Sequence, residues 1–399
     1  MSRRLSCLLA TIALLALTPV RWSVATGAGL ILALTSLGTI SPVTAAPSDP
    51  AAPVAQDRVI DVPAQRIFSK VIDPDDFECE PTAIDDYVGA QIDSWTLAEL
   101  LFVIPHQDVL FGVPTYAALF FGTAGDPAYA LGSHAAQLRN TFRDVKKFWS
   151  GSEEVQSDDI QLMAMHGDVL LDADVVEATL LLMQEYELLS PPLDTASPAQ
   201  IRAEAMAVAT FLQQNVAGGR ALYDDPLWTL NAYAFSGEDE TDPFLQSLPD
   251  KMVFGDGFLD FMEAIGLGDA GPRVVMGHEF AHHIQFELGL FESDLEGPEA
   301  TRRTELMADA YAAYYGVHKR GLALNAKRVA DALFAFYVVG DCSFDSDGHH
   351  GTPNQRERAA EWGAELAMAS HPNSAILDAR EFAELFDSIL PMIVAPDAA

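Results

Sequence analysis

Basic residues are scarce in this sequence. The chain has 23 lysines and arginines against 58 aspartates and glutamates, which gives a formal net charge of −35 at pH 7. Nucleic-acid binding needs a basic face toward the phosphates, and adhesion to anionic lipid needs clustered basic residues. The charge therefore argues against both classes of partner and is typical of a soluble acidic protein.

Cysteine is also rare. Of the three cysteines, Cys7 falls in the N-terminal segment, which leaves Cys79 and Cys342 for the rest of the chain. An exported chain permits a disulfide between these two residues. Nothing in the sequence shows whether they meet, so a bridge and two separate thiols both remain open.

The N-terminal segment, residues 1–46, lacks acidic residues altogether and contains two apolar runs, 5–17 and 23–40. Small residues follow around Ala45 and Ala46, as at the cleavage site of a secretory leader. The alternative is a pair of membrane helices, but the first run is short and the second is rich in Gly, Ser and Thr. We expect an exported chain, periplasmic or secreted, with an N-terminal membrane anchor if the leader is not cleaved. The remainder is not expected to span a membrane.

Beyond the leader, composition divides the chain into three regions. Residues 47–91 are a Pro/Ala-rich tether and N-terminal extension. Residues 92–225 carry apolar residues at three- and four-residue spacings, which predict a helical region. Strands are indicated only in 226–237 and 252–256, so we expect a mainly α fold with a small sheet. The last region, 226–399, contains the motifs that point to chemistry.

Three of the ten histidines lie in GHEFAHHIQFELG, residues 277–289. Gly271-Pro272 before this segment and Gly289 at its end are typical helix start and stop residues, so we expect one helix. His278 and His282 are four residues apart and then share a face of that helix. From this face two imidazole nitrogens can reach one metal ion at about 2.0–2.1 Å, the usual zinc distance.

Two neighbours of these histidines have different predicted roles. Glu279 is well placed beside a metal-bound water, which matches the HExxH pattern of two ligands and one general base. His283 points away from the face shared by His278 and His282. We therefore expect His283 to be a polar residue on the helix flank and not a ligand.

A second predicted helix, 296–321, supplies the candidate third ligand. It opens with Gly-Pro and closes with Gly, and Glu305 and Asp309 share one of its faces. Glu305 can complete a His₂Glu zinc site with an open fourth position. Asp309 can accept a hydrogen bond from the far nitrogen of a ligand histidine. The alternative for Glu305 is an ordinary charge on the helix surface.

Together, HEFAH and the downstream ELMAD resemble the HExxH…ExxxD arrangement of gluzincin metallopeptidases. The resemblance is to a bacterial neutral zinc metallopeptidase family and to M48-type peptidases. LNAYAF (230–235) is similar to the M48-type strand that precedes the zinc helix and forms the edge where substrate lies. HGTPNQR (350–356) is similar to a downstream histidine–arginine segment of both groups, and VGD (339–341) is similar to a segment of the neutral metallopeptidase family. The resemblance covers roughly residues 226–370.

This chain also departs from that pattern. Cys342 and an insertion-like SFDSDG lie between VGD and the histidine pair. The several membrane spans of many M48-type peptidases are not seen in the sequence. These departures leave the subfamily and the substrate preference open.

The resemblance implies an α+β, zincin-like fold, in which a helical bundle and a small edge sheet place a zinc site between the HExxH and ELMAD helices. It implies one Zn²⁺ per chain, held by His278, His282 and Glu305. The implied reaction is hydrolysis of peptide bonds in a protein or peptide substrate, with Glu279 as the general base.

The same resemblance suggests roles for residues outside the two helices. His350 is the candidate group that stabilises the oxyanion together with zinc, and His349 is its rival. Arg356 is a candidate to orient Glu305 or Asp309 through a charge-assisted pair. The alternative for His350 and Arg356 is an ordinary polar loop that leads into a helix. The edge strand is expected to hold the substrate backbone by strand addition. The strand residues assigned to this role are Asn231, Ala232 and Tyr233.

A function from another class remains open. Under this alternative, the chain is a zinc-stabilised binding or assembly protein that keeps the peptidase fold with little or no turnover. Glu279 favours the enzyme, because a binding module does not need a base beside the metal. The sequence gives no indication of the oligomeric state.

Overall fold

The computed structural model describes residues 77–397, apart from 158, 216–220, 239, 345, 347 and 371–374. The predicted leader and most of the predicted tether lie outside the described residues. The described part is mainly helical and contains one three-stranded sheet. This architecture confirms the expected mainly α class with a small sheet.

Twelve α-helices and three strands are formed by the described residues. The helices are α1 (Ala83–Ser94), α2 (Leu97–Val103), α3 (Val113–Phe121), α4 (Ala135–Trp149), α5 (Ala173–Glu185), α6 (Pro198–Gln214), α7 (Asp256–Ala264), α8 (Gly271–Glu287), α9 (Pro298–Val317), α10 (Ala326–Tyr337), α11 (Pro353–Ala369) and α12 (Ala379–Ile393). The strands are β1 (Gln161–Met165), β2 (Ala232–Phe235) and β3 (Lys251–Gly255).

Helical structure begins earlier than the sequence indicated. Helix α1 starts at Ala83, inside the range 47–91 that was predicted as tether and extension. Thr82 caps this helix through a reciprocal capping box with Asp85. The apolar residues Ile84, Val88 and Ile92 are buried, so one face of α1 packs into the core.

The sheet has the strand order β1–β3–β2. β2 pairs with β3 antiparallel, and β1 pairs with β3 in parallel. The predicted strand in 226–237 is shorter in the structure, because a 3₁₀ turn over Pro226–Thr229 precedes it. The sequence indicated only two strands and missed β1, which comes from the region 92–225. That region and the region 226–399 therefore contribute to one sheet.

Three helices at the centre approach one another closely through small residues. Helix α8 packs on α9, and α9 packs on α11. A Cβ atom on Gly277 in α8 would lie 3.2 Å from the Cα of Ala312 in α9. A Cβ atom on Gly363 in α11 would lie only 2.1 Å from the carbonyl oxygen of Ala310. Because nothing larger than hydrogen fits at Gly363, α9 and α11 are in backbone contact there.

Lys251 joins the sheet to two helices from a buried position. Its side chain is 0% exposed, and its Nζ donates to the carbonyl oxygens of Ala118, Leu119 and Gly122 at 3.2, 2.5 and 2.7 Å. These carbonyls lie at the C-terminal end of α3, where the helix dipole favours a cation. The carbonyl oxygen of Lys251 accepts a hydrogen bond from His283 in α8 at 3.0 Å. Burial lowers the pKa of Lys251 to about 8, so the ammonium group remains mostly charged at pH 7.

Cys79 and Cys342 form a disulfide, with their Cα atoms 5.9 Å apart. The sequence left this pairing open, and the structure confirms the bridge. It joins the segment before α1 to the loop after α10, across a sequence separation of 263 residues.

In the part of the chain that the structure describes, no single helix has both the length and the apolar character needed to cross a membrane. Two consecutive helical segments, Leu97–His106 and Asp108–Phe121, are together long and apolar enough to cross a membrane, judged by length and composition alone. The two segments are bent by 75° at their break.

The substitution Lys251→Met tests the buried ammonium group. Methionine keeps the apolar stem but leaves buried carbonyl oxygens at the end of α3 without their donor, so we expect the free energy of unfolding to fall by about 1–3 kcal/mol. Urea titration of both proteins measures the difference. The control is Lys147→Met on the exposed face of α4, for which we expect a change within about 0.5 kcal/mol. Equal unfolding midpoints for the two variants would contradict the prediction.

Candidate metal centre

His278, His282 and Glu305 come together between α8 and α9, as the sequence predicted. The Nε2 atoms of the two histidines lie 3.1 Å apart. Glu305 approaches them with Oε2 at 3.3 Å from His278 and Oε1 at 3.5 Å from His282. The three residues offer one ligand atom each within 4.8 Å of one another, and all three are buried. This group can hold a metal ion.

The polar atoms of this group fit a cation. Two ligands at about 2.0–2.1 Å from one tetrahedral ion are about 3.3 Å apart, which is close to the observed distance between the two Nε2 atoms. Both carboxylate oxygens of Glu305 are buried without a hydrogen-bond partner. An unpaired buried carboxylate is costly. A metal ion among these atoms removes that cost.

The far nitrogen of each candidate ligand histidine lies close to a side-chain oxygen. Nδ1 of His278 lies 2.8 Å from Oδ1 of Asp309, and Nδ1 of His282 lies 2.8 Å from Oε1 of Gln285. The Gln285 amide nitrogen donates to the carbonyl oxygen of Thr304 at 2.8 Å, which turns its oxygen toward His282. With Nδ1 as the donor, each imidazole presents the lone pair of Nε2 to the metal position.

Burial and charge act differently on the two imidazoles. Burial lowers the pKa of His282 to about 4, so this ring is neutral at pH 7. Burial also opposes a charge on His278, but Asp309 and Glu305 outweigh it and raise the pKa of His278 to about 10. A bound metal ion takes the place of that proton, because a ligand imidazole must be neutral.

Arg356 and Asp309 form a fully buried ion pair. Nε and Nη2 of Arg356 donate to the two oxygens of Asp309 at 2.8 and 2.7 Å. The sequence left open whether Arg356 orients Glu305 or Asp309, and the contact is with Asp309. Such a two-point pair fixes the carboxylate, and the carboxylate in turn fixes His278.

The two glutamates of the site differ in protonation. Burial raises the pKa of Glu279 to about 8. Burial also acts to raise the pKa of Glu305, but His350, His282 and His278 outweigh it and lower that pKa to about 2. Neither oxygen of Glu279 has a hydrogen-bond partner. Glu305 is therefore suited to be a charged ligand, and Glu279 to accept and release a proton near neutral pH.

His283 lies outside the metal group, as predicted, but it is not on an open flank. Its side chain is 1% exposed. Its Nε2 lies 3.0 Å from the carbonyl oxygen of Lys251, and its Nδ1 lies 3.5 Å from Oδ2 of Asp250. This third histidine joins α8, which carries two of the candidate metal ligands, to the start of β3.

Both candidate oxyanion-stabilising histidines, His349 and His350, are buried on the loop before α11. Asp341 contacts both: its Oδ1 lies 2.7 Å from Nδ1 of His349, and its Oδ2 lies 3.3 Å from Nδ1 of His350. For His350, burial opposes the charged form, but Glu305 and Asp341 outweigh it and raise the pKa. In turn, the charge of His350 is one of the causes that lower the pKa of Glu305.

Of the predicted substrate-binding residues, Ala232 and Tyr233 lie on β2, an edge strand that packs against α8, and Asn231 directly precedes it. Asn231, Ala232 and Tyr233 are buried. The Oδ1 atom of Asn231 has no hydrogen-bond partner. The hydroxyl of Tyr233 donates to the carbonyl oxygen of Thr115 at 2.9 Å, so this side chain is engaged in the core. A substrate role for these residues remains a prediction.

Gln285 and Asp341 support the site but were not assigned roles from the sequence. Gln285 follows His282 by three residues on the same helix, so helical spacing was a usable signal for it. Asp341 stands in the VGD segment that carried part of the resemblance, but its distance of eight residues from His349 gives no indication of contact.

The ligand set is tested by metal analysis after dialysis against Zn²⁺. We expect about one zinc per chain in the native protein, and far less in His282→Ala and Glu305→Ala, because each loses a ligand. The control is His283→Gln, whose amide can still donate to Lys251, and we expect it to retain about one zinc. Loss of zinc in a folded His283→Gln variant would contradict this assignment.

The role of Gln285 is tested separately. Gln285→Ala frees the ring of His282 to rotate, so we expect zinc affinity to fall by about 10- to 100-fold. Competition with a chelating dye measures the dissociation constant. Gln213→Ala on the exposed surface of α6 should leave the affinity unchanged. If both variants bind zinc as the native chain does, Gln285 does not orient the ligand.

Comparison of the chain with models of protein families, with curated proteins and with solved structures finds no match. The likeness to gluzincins therefore rests on the sequence motifs around His278 and Glu305. The geometry of the site carries the functional argument.

Proposed function

We propose that this chain is an exported zinc metallopeptidase of the gluzincin type, with a zincin-like fold. The observation that carries the proposal is the position of Glu279. It follows the candidate ligand His278 in sequence, its carboxylate interacts electrostatically with His278 and Glu305, and both of its oxygens are buried without a hydrogen-bond partner. A site that only holds a metal for stability does not need a free proton acceptor there.

The donor set favours zinc. Two imidazoles and one carboxylate are a known catalytic zinc set, which leaves a fourth position for water or substrate. Bound there, zinc lowers the pKa of water toward about 7 and polarises a carbonyl group.

The residues of the chain supply the proton transfers. Glu279 accepts the proton of the attacking water and delivers it to the leaving amine. Burial raises the pKa of Glu279 above its ordinary value, and a raised pKa suits a carboxyl group that must both accept and release a proton. Glu305 stays ionised and holds its place as a ligand.

His350 is proposed to stabilise the negative charge that develops on the carbonyl oxygen. Asp341 contacts its Nδ1, which leaves Nε2 for the substrate. Asp341 and Glu305 both favour the protonated ring, and a protonated ring donates a strong hydrogen bond to an oxyanion. His349 remains the alternative, because its buried Nε2 has no hydrogen-bond partner.

The edge of the sheet is the proposed binding place of a peptide substrate. β2 lies at that edge beside α8, so an extended peptide can add to it as a further strand. The unpaired Oδ1 of Asn231 can accept a backbone N–H from such a peptide. Export is supported by the Cys79–Cys342 disulfide, since such bridges form in oxidising compartments.

The decisive variant is Glu279→Gln, which keeps the shape of the side chain but cannot accept the proton. We expect it to bind about one zinc per chain, and we expect kcat/KM for peptide hydrolysis to fall by about 10²- to 10⁴-fold. Casein and a broad peptide library are the substrates. Glu365→Gln, exposed on α11, is the matched control and should keep native activity.

The same assay separates the two functional classes. If the zinc-loaded native chain and Glu279→Gln are equally inactive on the whole library, the peptidase proposal is wrong. The zinc-stabilised binding or assembly protein is then the better account.

A further inference from the structure

His349 and His350 lie on a loop whose two ends, here called its neck, are joined by a backbone hydrogen bond. The backbone N–H of Asp341 donates to the carbonyl oxygen of Gly351 at 3.0 Å, which brings the two ends of the loop together. Next to this neck, a Cβ on Gly340 would lie 2.4 Å from the backbone nitrogen of Pro353, so the chain is tightly packed there. The loop therefore has little freedom where it joins α10 and α11.

Asp341 uses both carboxylate oxygens inside this loop. Oδ1 accepts from the backbone N–H of Ser343 and from Nδ1 of His349, both at 2.7 Å. Oδ2 accepts from the backbone N–H of His350 at 2.8 Å and contacts its Nδ1 at 3.3 Å. One carboxylate thus fixes the tautomer of two imidazoles and the backbone that carries them.

A distant segment of the chain secures the neck. Cys342, the residue after Asp341, is joined to Cys79 by the disulfide. Phe77 packs on Phe344 with ring centroids 5.4 Å apart, and Phe344 packs on His349 at 5.2 Å.

The same segment also contacts the end of α10. The Oγ1 atom of Thr82 donates to the carbonyl oxygen of Val338 at 2.6 Å in a buried position. Residues 77–82 therefore form a clasp on the loop, with one covalent bond, one hydrogen bond and one aromatic contact.

We propose that Asp341 is the positioning residue for His349 and His350, and that the Cys79–Cys342 disulfide keeps it in place. This inference rests on the proposed function for its catalytic consequence. The histidine pair is positioned for oxyanion stabilisation only while the Cys79–Cys342 disulfide of the clasp is intact. The activity of this chain then depends on an oxidising environment, although its metal ligands are not cysteines.

The test follows the histidine rings directly. In ¹⁵N-histidine-labelled, zinc-loaded protein, NMR spectra report which ring nitrogen of each histidine carries the proton. Asp341→Asn can accept through only one side-chain atom, so we expect the ring signals of His349 and His350 to change. The signals of His278 and His282 and the zinc content should stay native. Asp294→Asn, exposed in the loop before α9, is the control and should change none of them.

The clasp has its own variant, the double substitution Cys79→Ser and Cys342→Ser. We expect it to keep zinc and to show the same changes at His349 and His350 as Asp341→Asn. We expect kcat to fall by up to about 10²-fold in both variants while KM changes little, because the lost contact is made in the transition state. Native histidine signals in the double variant would exclude a role for the disulfide. Native signals in Asp341→Asn would overturn the positioning role.

The spectra and the activity separate the two proposals. If the native chain hydrolyses no peptide, yet both variants shift the signals of His349 and His350, the proposed function fails and the positioning role stands. If Asp341→Asn loses zinc and the native signals of His278 and His282, Asp341 supports the fold generally, and the specific role is wrong.

Discussion

The carboxylate of Asp309 joins the three helices that form the metal group. It lies on α9, receives two hydrogen bonds from Arg356 on α11 and contacts His278 on α8. Taking such charges out of water costs several kcal/mol for each ion, and only full pairing offsets that cost. The three helices therefore have few arrangements in which this interior charge is satisfied. The ligand geometry follows from that constraint.

The unpaired carboxylates of the site belong to two glutamates. The oxygens of Glu279 and Glu305 are buried without hydrogen-bond partners, and both side chains are 0% exposed. Native interiors rarely keep such groups without a compensating interaction. At the candidate metal position, Glu305 lies beside the Nε2 atoms of His278 and His282, while their Nδ1 atoms lie beside Asp309 and Gln285. The polar atoms around this position are complementary to a cation and a water molecule.

Much of this site could be predicted from the spacing of residues within single helices. The predicted helix from Gly271 to Gly289 is observed as Gly271–Glu287, and Glu305 and Asp309 share a face as their spacing of four indicated. Helical periodicity reports which side chains point the same way. The predicted strand in 252–256 is also observed, as β3 (Lys251–Gly255).

Contacts between remote segments were not predictable in the same way. Strand β1 is short and gains its stability from parallel pairing with β3, about ninety residues later in the chain. The Cys79–Cys342 bridge also depends on how distant segments meet. The contacts of Asp341, whose two carboxylate oxygens bind His349 and His350, depend on how the loop between them folds. Periodicity does not encode which segment covers a given face, and His283 shows the consequence. Its predicted place off the ligand face is observed, but β3 covers the flank on which it lies.

The contact between Gly363 and Ala310 sets a limit on how this sequence can evolve. One added methyl group at Gly363 would press against a backbone oxygen of α9 and push α11 away. Arg356 belongs to the same helix, so its two hydrogen bonds to Asp309 would be lost or lengthened. A substitution two helical turns from Arg356, at a position with no chemistry of its own, would then reach the metal ligands. Tolerance to mutation in this protein is thus expected to be lowest along helix contacts, and not only among the residues that carry the reaction.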